Sequence, residues 1–169
     1  SIVITGLGKS FNLASLPFAY TISKDHETQR EITKLMNQLH CGTVSSLALV
    51  ALEAAYNDCG DWMDALNDYI YDNLVYVKNY IDENLSDYMS LEIPQATYLA
   101  WIDFSKSGFT NDEVKKAFVE VGGLAISPGE MYLDPTNSHV RFNVGFRREQ
   151  IENAMKQIEK SFKHLSENK

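Results

Sequence analysis

The sequence has little positive charge and no long apolar run. Its 169 residues include 15 lysine and arginine residues against 23 aspartate and glutamate residues, which gives a net charge of −8. A protein that binds nucleic acid needs a clustered basic surface, so we expect no nucleic-acid partner. No uninterrupted apolar run approaches the roughly 20 residues that cross a bilayer, so we expect a soluble protein without a membrane partner.

Cysteine is also scarce. Cys41 and Cys59 are the two cysteines of the chain, too few for a disulfide framework or a paired metal motif. No signal peptide is recognisable, so we expect both thiols to be reduced in the cytoplasm. The four histidines show no metal-ligand spacing, and we expect them at the surface with no metal site.

The first part of the chain reads mostly as helix. The apolar run at residues 2–4 predicts a buried strand, which suggests that the chain begins within a domain, and residues 18–22 predict a second strand. Asp25 is a suitable cap for a helix that ends near His40. The following helix, at about residues 45–57, is nearly all apolar, so we expect it to be buried.

The rest of the chain combines one long helix with strands and shorter helices. Helical periodicity holds from residue 61 to residue 85, and a helix of that length usually links two structural layers. Strands are predicted at residues 97–103, 124–127 and 139–144, and helices are predicted from Thr110, which has capping-box spacing to Glu113, and from Arg148. This alternation predicts an α/β or α+β unit with 44% hydrophobic residues available for its core.

The segment Gly6-Leu7-Gly8-Lys9-Ser10 invites a nucleotide-binding interpretation. A phosphate-binding P-loop requires a glycine five positions before the glycine of Gly-Lys-Ser, so that backbone amides wrap the phosphates. Val3 stands at that position. The P-loop interpretation is therefore disfavoured.

Five stretches, in order and in register, resemble another family. They are Lys9-Ser10-Phe11-Asn12-Leu13-Ala14, the helix from Gly42 to Tyr56, Pro94-Gln95-Ala96-Thr97-Tyr98, Ile126-Ser127-Pro128-Gly129, and Val140-Arg141-Phe142-Asn143. Together they resemble the pyridoxal-phosphate enzymes of fold type I in the class I and II aminotransferase superfamily. Asp61-Trp62-Met63-Asp64-Ala65-Leu66 and Asp72-Asn73-Leu74 look particularly like the cystathionine β-lyase branch of the MalY and PatB type.

The resemblance implies a fold and a set of roles. The fold would be the C-terminal portion of an aspartate-aminotransferase-like enzyme, with residues 1–60 from the large cofactor-binding domain and residues 61–169 forming the linking helix and the small domain. Lys9 would be the lysine that binds pyridoxal 5′-phosphate and moves the substrate α-proton. Arg141 would bind the α-carboxylate of a small amino-acid substrate, and Tyr132 would border that pocket.

The resemblance is incomplete around the cofactor phosphate. Residues 6–8 offer no hydroxyl before Lys9, which leaves Thr5 as a weak phosphate ligand, and Pro17 stands where many aminotransferases carry a phosphate-binding arginine. Because the lyase branch also lacks that arginine, a carbon–sulfur β-lyase is favoured over an aminotransferase. The family's N-terminal half, with its phosphate loop and pyridinium-binding aspartate, has no counterpart in the sequence.

The function expected from the resemblance is therefore that of a fragment. We expect the full-length parent to be a homodimeric β-lyase and the 169-residue chain alone to be inactive, without retained cofactor and with Lys9 facing solvent. The alternative outside enzymology is a non-catalytic small-domain or dimerisation module.

Overall fold

The structure is a computed structural model that describes residues 1–134 and 136–168. It divides the chain into two compact units, Ser1–Leu66 and the residues from Asn67 onward. The division falls inside a 25-residue helix, Gly60–Asn84, which is the predicted long helix. The domain boundary expected between residues 60 and 61 stays a prediction.

The first unit contains a two-stranded hairpin and three helices before the long one. Strand β1 (Ile2–Thr5) pairs antiparallel with β2 (Tyr20–Ser23), and the one-turn helix α1 (Leu7–Ser10) follows β1 directly. Helix α2 (His26–Gln38) begins at Asp25, whose carboxylate accepts hydrogen bonds from the backbone N–H groups of residues 27 and 28. Asp25 is thus the predicted N-cap. Helix α3 (Ser46–Asp58) follows, and the long helix is α4.

The prediction that β1 and α3 are buried is wrong for this chain. In β1 the side chains of Ile2, Val3 and Ile4 are about half or more exposed, and in α3 only Ala48 and Ala55 are buried. Leu47 keeps 71% of its surface exposed. The apolar sequence of α3 would suit a helix that neighbours cover on several sides. Within this unit, however, α3 packs through the side that carries the small residues Ala48 and Ala55. The larger apolar side chains therefore face outward.

The second unit combines the end of α4 with an antiparallel sheet and two helices. Its strands are β3 (Ser90–Leu91), β4 (Leu99–Asp103), β5 (Ser127–Pro128) and β6 (His139–Asn143), in the spatial order β3-β4-β6-β5. Its helices after α4 are α5 (Asn111–Glu120) and α6 (Arg148–Glu167), with single 3₁₀ turns at Ser105–Ser107 and Gly129–Tyr132. The predicted α+β unit is confirmed.

The strand predicted at residues 124–127 was too long. Strand β5 pairs with β6 through Ser127 and Pro128 only, and residues 124–126 are not in the ladder. A cleft of about 390 Å³ lies where the ladder stops, lined by residues 124–126, by Phe142 of β6 and by apolar side chains of α6. Since proline has no N–H to donate, Pro128 is suited to this outer strand.

The sheet divides its side chains between a core face and an open face. Ala100, Ile102 and Val140 are at most 3% exposed, and they alternate along the strands with side chains that are half-buried or exposed. They join one apolar cluster with side chains of α4, α5 and α6, among them Leu74, Val77, Ile81, Val114, Phe118, Ile151, Met155, Ile158 and Phe162. The opposite face carries Trp101 and Arg141, which are direct partners in the β4–β6 register.

A buried amide joins the end of β6 to α4. Asn73 is fully buried, and its Nδ2 donates hydrogen bonds to the backbone oxygens of Val144, at 2.9 Å, and Phe146, at 3.1 Å. Two carbonyls that leave the sheet are thereby satisfied by one side chain, which fixes where the chain turns from β6 toward α6. In the described residues no helix is both long enough and apolar enough to cross a membrane.

The capping box at the start of α5 gives a stability prediction. Thr110 Oγ1 accepts from the backbone N–H of Glu113, and the Glu113 carboxylate accepts from the backbone N–H of Thr110 at 2.7 Å. We expect Thr110→Ala to lower the free energy of unfolding by about 1 kcal/mol, because the cap is lost. Thr110→Ser keeps the hydroxyl and is the matched control. Urea unfolding followed by circular dichroism measures both, and equal losses in the two variants would contradict the assignment.

Candidate active-site residues

Lys9 lies in the one-turn helix α1. Its side chain is exposed, and among the described residues its amine has no hydrogen bond or ion pair. The helix ends at Phe11, and Asn12 then adopts the left-handed conformation, with φ of 54°, that asparagine tolerates better than most residues. The chain therefore turns away from α1 at Asn12, where the sequence supplies a residue that tolerates the conformation needed.

The backbone before Lys9 is held against the segment that leads into β2. A Cβ added at Gly6 would lie 2.5 Å from the backbone oxygen of Phe18, so a larger residue would push the start of α1 away from that segment. Thr5 ends β1 opposite Tyr20, and its side chain is half-buried. Thr5 is the hydroxyl residue of this strand end, and its role in binding a phosphate stays a prediction.

An aromatic cluster forms on the chain that follows Lys9. The ring of Phe11 stacks on Trp62 with centroids 6.0 Å apart, and it meets Tyr56 edge-on at 5.9 Å. The hydroxyls of Tyr56 and Tyr20 share a hydrogen bond of 2.7 Å, and this bond raises the pKa of Tyr20. The cluster thus joins the residue that follows α1 to β2, to α3 and to the first turn of α4.

Arg141 lies at the centre of the open face of the sheet in the second unit. It is half-buried, with Trp101 of β4 on one side and Ser127 of β5 on the other as its register partners. Its Nη2 is 3.5 Å from Ser127 Oγ, a long contact. Its guanidinium carbon lies 4.5 Å from the centroid of the Tyr132 ring. The structure thus brings Arg141 and Tyr132 together, whereas Lys9 and Thr5 belong to the other unit.

The Tyr132 ring also contacts Trp101. The two rings meet edge-on with centroids 5.8 Å apart, and Trp101 in turn stacks on His139 at 5.4 Å with 14° between the planes. Trp101 is 38% exposed although it lies in the middle of a strand of the sheet. The strand alternation explains this, because Trp101 falls on the face opposite to the buried Ala100 and Ile102.

His139 is anchored by a buried carboxylate that the sequence did not reveal. His139 Nδ1 lies 2.9 Å from Asp134 Oδ2, and the Asp134 side chain is only 4% exposed. The same carboxylate accepts from the backbone N–H groups of Thr136, Ser138 and His139 and from the Thr136 hydroxyl. Burial alone would raise the pKa of the Asp134 carboxyl, but hydrogen bonds from Thr136 and His139 outweigh it and hold that pKa well below its usual range.

Gly129 completes this arrangement through close approach. A Cβ at Gly129 would lie 2.7 Å from Asp134 Oδ2 and 2.9 Å from the backbone oxygen of His139. The Pro128-Gly129 pair was singled out by the sequence as part of a motif, and the structure gives a local reason for the glycine. In the sequence, Asp134 stands beside a proline and other turn residues, which indicate a loop but do not indicate a buried charge.

Comparison with known proteins places the chain in a family. The family model described as aminotransferase class I and II matches residues 1–158. The chain belongs to this family, whose members use pyridoxal phosphate as cofactor.

Three relatives illustrate the similarity. The protein MalY of Escherichia coli is 33% identical over 151 residues, covering 89% of this chain and 38% of MalY. Cystathionine beta-lyase PatB of Bacillus subtilis is 26% identical over 158 residues, covering 94% of this chain and 41% of PatB. The pyridoxal-phosphate-bound C-S lyase of Staphylococcus hominis superposes with a TM-score of 0.82 at 29% identity, covering 95% of this chain and 42% of that one. The chain therefore spans about two fifths of the length of these relatives.

The buried Asp134 carboxylate gives a prediction with a defined pH dependence. Asp134→Ala removes the acceptor of several backbone N–H groups, so we expect it to lower the free energy of unfolding by about 1–3 kcal/mol. Asp87→Ala, at an exposed aspartate of the same unit, is the matched control. Urea unfolding followed by tryptophan fluorescence measures both.

The sign of the pH dependence follows from the lowered pKa. Because the folded state holds the proton less tightly than the unfolded chain, the stabilisation by Asp134 is complete above the usual aspartate pKa of about 4 and is lost as the pH falls below it. The stability difference between the native chain and Asp134→Asn should therefore shrink from pH 5 to pH 3. A difference that grows over this range would contradict the assignment.

Proposed function

We propose that this chain supplies the cofactor lysine and the carboxylate-binding arginine of a pyridoxal-phosphate-dependent carbon–sulfur β-lyase. The observation that carries the proposal is the match to MalY and PatB over about nine tenths of the chain. The assignment of Lys9 and Arg141 rests on the motifs of the sequence that contain them. PatB and the Staphylococcus hominis protein carry lyase names, which supports a lyase.

The side chains fit the cofactor in part. Lys9 offers an exposed primary amine with no partner among the described residues, which suits covalent attachment to an aldehyde. Thr5 is the candidate for a hydrogen bond to the phosphate. When bound, pyridoxal phosphate acts as an electron sink for charge that develops at the substrate α-carbon.

The two proposed catalytic side chains have distinct tasks. Lys9 Nζ, in its unprotonated form, takes the proton from the substrate α-carbon, and the sulfur substituent leaves the β-carbon and is protonated to a thiol. The remaining three-carbon enamine tautomerises to an imine, and hydrolysis of that imine by water gives pyruvate and ammonia. Arg141 holds the α-carboxylate through two parallel N–H···O bonds, which fixes the orientation of the α-carbon. The Tyr132 ring contacts the face of the guanidinium and leaves most of its N–H groups available for that pairing.

An aminotransferase is the alternative reaction on the same residues. Pro17 stands where many aminotransferases carry an arginine for the phosphate, and this favours the lyase. A half-reaction with a keto acid distinguishes the two, because only the aminotransferase transfers its amino group to that acid.

The exposed apolar side chains of the first unit support a role as part of a longer protein. Ile4, Leu47 and Val50 each expose 65% or more of their surface, a pattern typical of a surface that another polypeptide covers. The homodimer, the cytoplasmic location and the small amino-acid substrate stay predictions. A non-catalytic module remains the alternative of another class, and it predicts no activity in any longer protein.

A chimera tests the proposed function. The chain replaces the matching 151 residues of MalY, and pyruvate release from L-cystathionine is measured. We expect release by the chimera, and we expect Lys9→Arg to lower kcat by at least about a hundredfold, because the proton-transfer step loses its base. Lys24→Arg, at another exposed lysine, is the matched control and should retain the rate. A folded chimera that releases pyruvate equally well with Lys9→Arg would contradict the assignment.

The carboxylate assignment has its own test in the same chimera. Arg141→Lys should raise KM for L-cystathionine by about tenfold or more, since lysine offers no two-pronged pair. Arg147→Lys, at an exposed arginine just beyond β6, is the control. An unchanged KM in Arg141→Lys would contradict the role of Arg141.

The 169-residue chain alone should release no pyruvate. The family's phosphate loop and pyridinium-binding aspartate have no counterpart in it, so the cofactor would lose most of its binding energy. The measurement is pyruvate release from L-cystathionine with added pyridoxal phosphate. Release at a rate above that of free pyridoxal phosphate would overturn this prediction.

A further inference from the structure

A row of contacts joins the Arg141 guanidinium to the buried Asp134 carboxylate in the same unit. The guanidinium lies over the Tyr132 ring, and the Tyr132 ring meets Trp101 edge-on. Trp101 stacks on the His139 ring, and His139 is hydrogen-bonded to the Asp134 carboxylate. We propose that Asp134, His139, Trp101 and Tyr132 are positioning residues that set the plane of the Arg141 guanidinium for binding a carboxylate. This inference rests on the proposed role of Arg141.

The fixed end of the row is Asp134. Its carboxylate receives three backbone N–H groups and the Thr136 hydroxyl, with donor–acceptor distances of 2.8–3.2 Å, so it has little freedom to move. The bond to His139 Nδ1 at 2.9 Å then selects one orientation of the imidazole. An imidazole held in this way presents a fixed flat surface to Trp101.

The middle of the row is exposed, which argues against a purely structural role. Trp101 and Tyr132 are 38% and 39% exposed, and neither side chain belongs to the buried core cluster. Rings at the core would contribute to stability through burial, whereas these two meet His139 on one side and the guanidinium on the other. Their contacts lead to Arg141.

The geometry at Arg141 suits recognition of a planar anion. A guanidinium above a ring uses its face for the cation–π contact and keeps its N–H edges for hydrogen bonds. A guanidinium held in one plane loses less conformational entropy when a carboxylate binds than one on a free side chain. The row therefore strengthens carboxylate binding without touching the carboxylate.

The test uses the 169-residue chain and sodium acetate as the carboxylate probe, with sodium chloride as the ionic-strength control. Nuclear magnetic resonance follows the Arg141 Nε–H signal, which the Tyr132 ring shifts, and acetate titration gives the dissociation constant. We expect Tyr132→Leu to weaken acetate binding about threefold and to move the Arg141 signal, whereas Tyr132→Phe keeps the ring and should leave the acetate affinity unchanged. Trp101→Leu and Asp134→Asn should move the same signal and weaken binding about twofold, although neither residue contacts Arg141 through a hydrogen bond.

Two controls separate the possible failures. Tyr71→Leu removes an exposed tyrosine of the same unit, 57% exposed, and should change neither the Arg141 signal nor the acetate affinity. If Arg141→Lys leaves acetate binding unchanged, the proposed function loses its carboxylate site. If Arg141→Lys weakens binding while Tyr132→Leu, Trp101→Leu and Asp134→Asn all leave the affinity and the Arg141 signal unchanged, the positioning role is overturned and the proposed function stands.

Discussion

The antiparallel pairing of β4 with β6 is the constraint on which the second unit depends. It places Trp101 directly opposite Arg141 and leaves Ala100, Ile102 and Val140 on the face that packs against the helices. A slip of one residue would turn the arginine into the apolar core and expose the core side chains. Burial of the core face therefore also fixes the position of Arg141, so the stability of the sheet and the proposed site have one common cause.

Local sequence rules predicted much of this fold. The caps Asp25 and Thr110 and the periodicity of α4 and α6 depend on near neighbours, and the structure confirms them. The exposure of α3 and the shortness of β5 depend on what packs against each segment. The apolar character of α3 indicates that Leu47 is suited to burial, but the sequence does not show whether another segment packs against that side chain. Those predictions were wrong for that reason.

The proposed site was predictable to a different degree at each residue. Lys9 and Arg141 were predicted from five motifs taken together, since any one of those motifs alone would have been too weak to assign a role. The row behind Arg141 could not be predicted, since Asp134 and His139 meet through a loop geometry that no periodicity describes. Histidine was expected at the surface, yet His139 is held between a buried carboxylate and the Trp101 ring. Charge burial of this kind becomes visible only when the hydrogen bonds are known.

The proposed function depends on covalent attachment of the cofactor to Lys9. The chimera with MalY is loaded with pyridoxal phosphate and reduced with borohydride, and mass spectrometry of its peptides then identifies the lysine that carries the cofactor. We expect one pyridoxyl group, on the peptide that contains Lys9. A pyridoxyl group on a different lysine, with the Lys9 peptide unmodified, would contradict it.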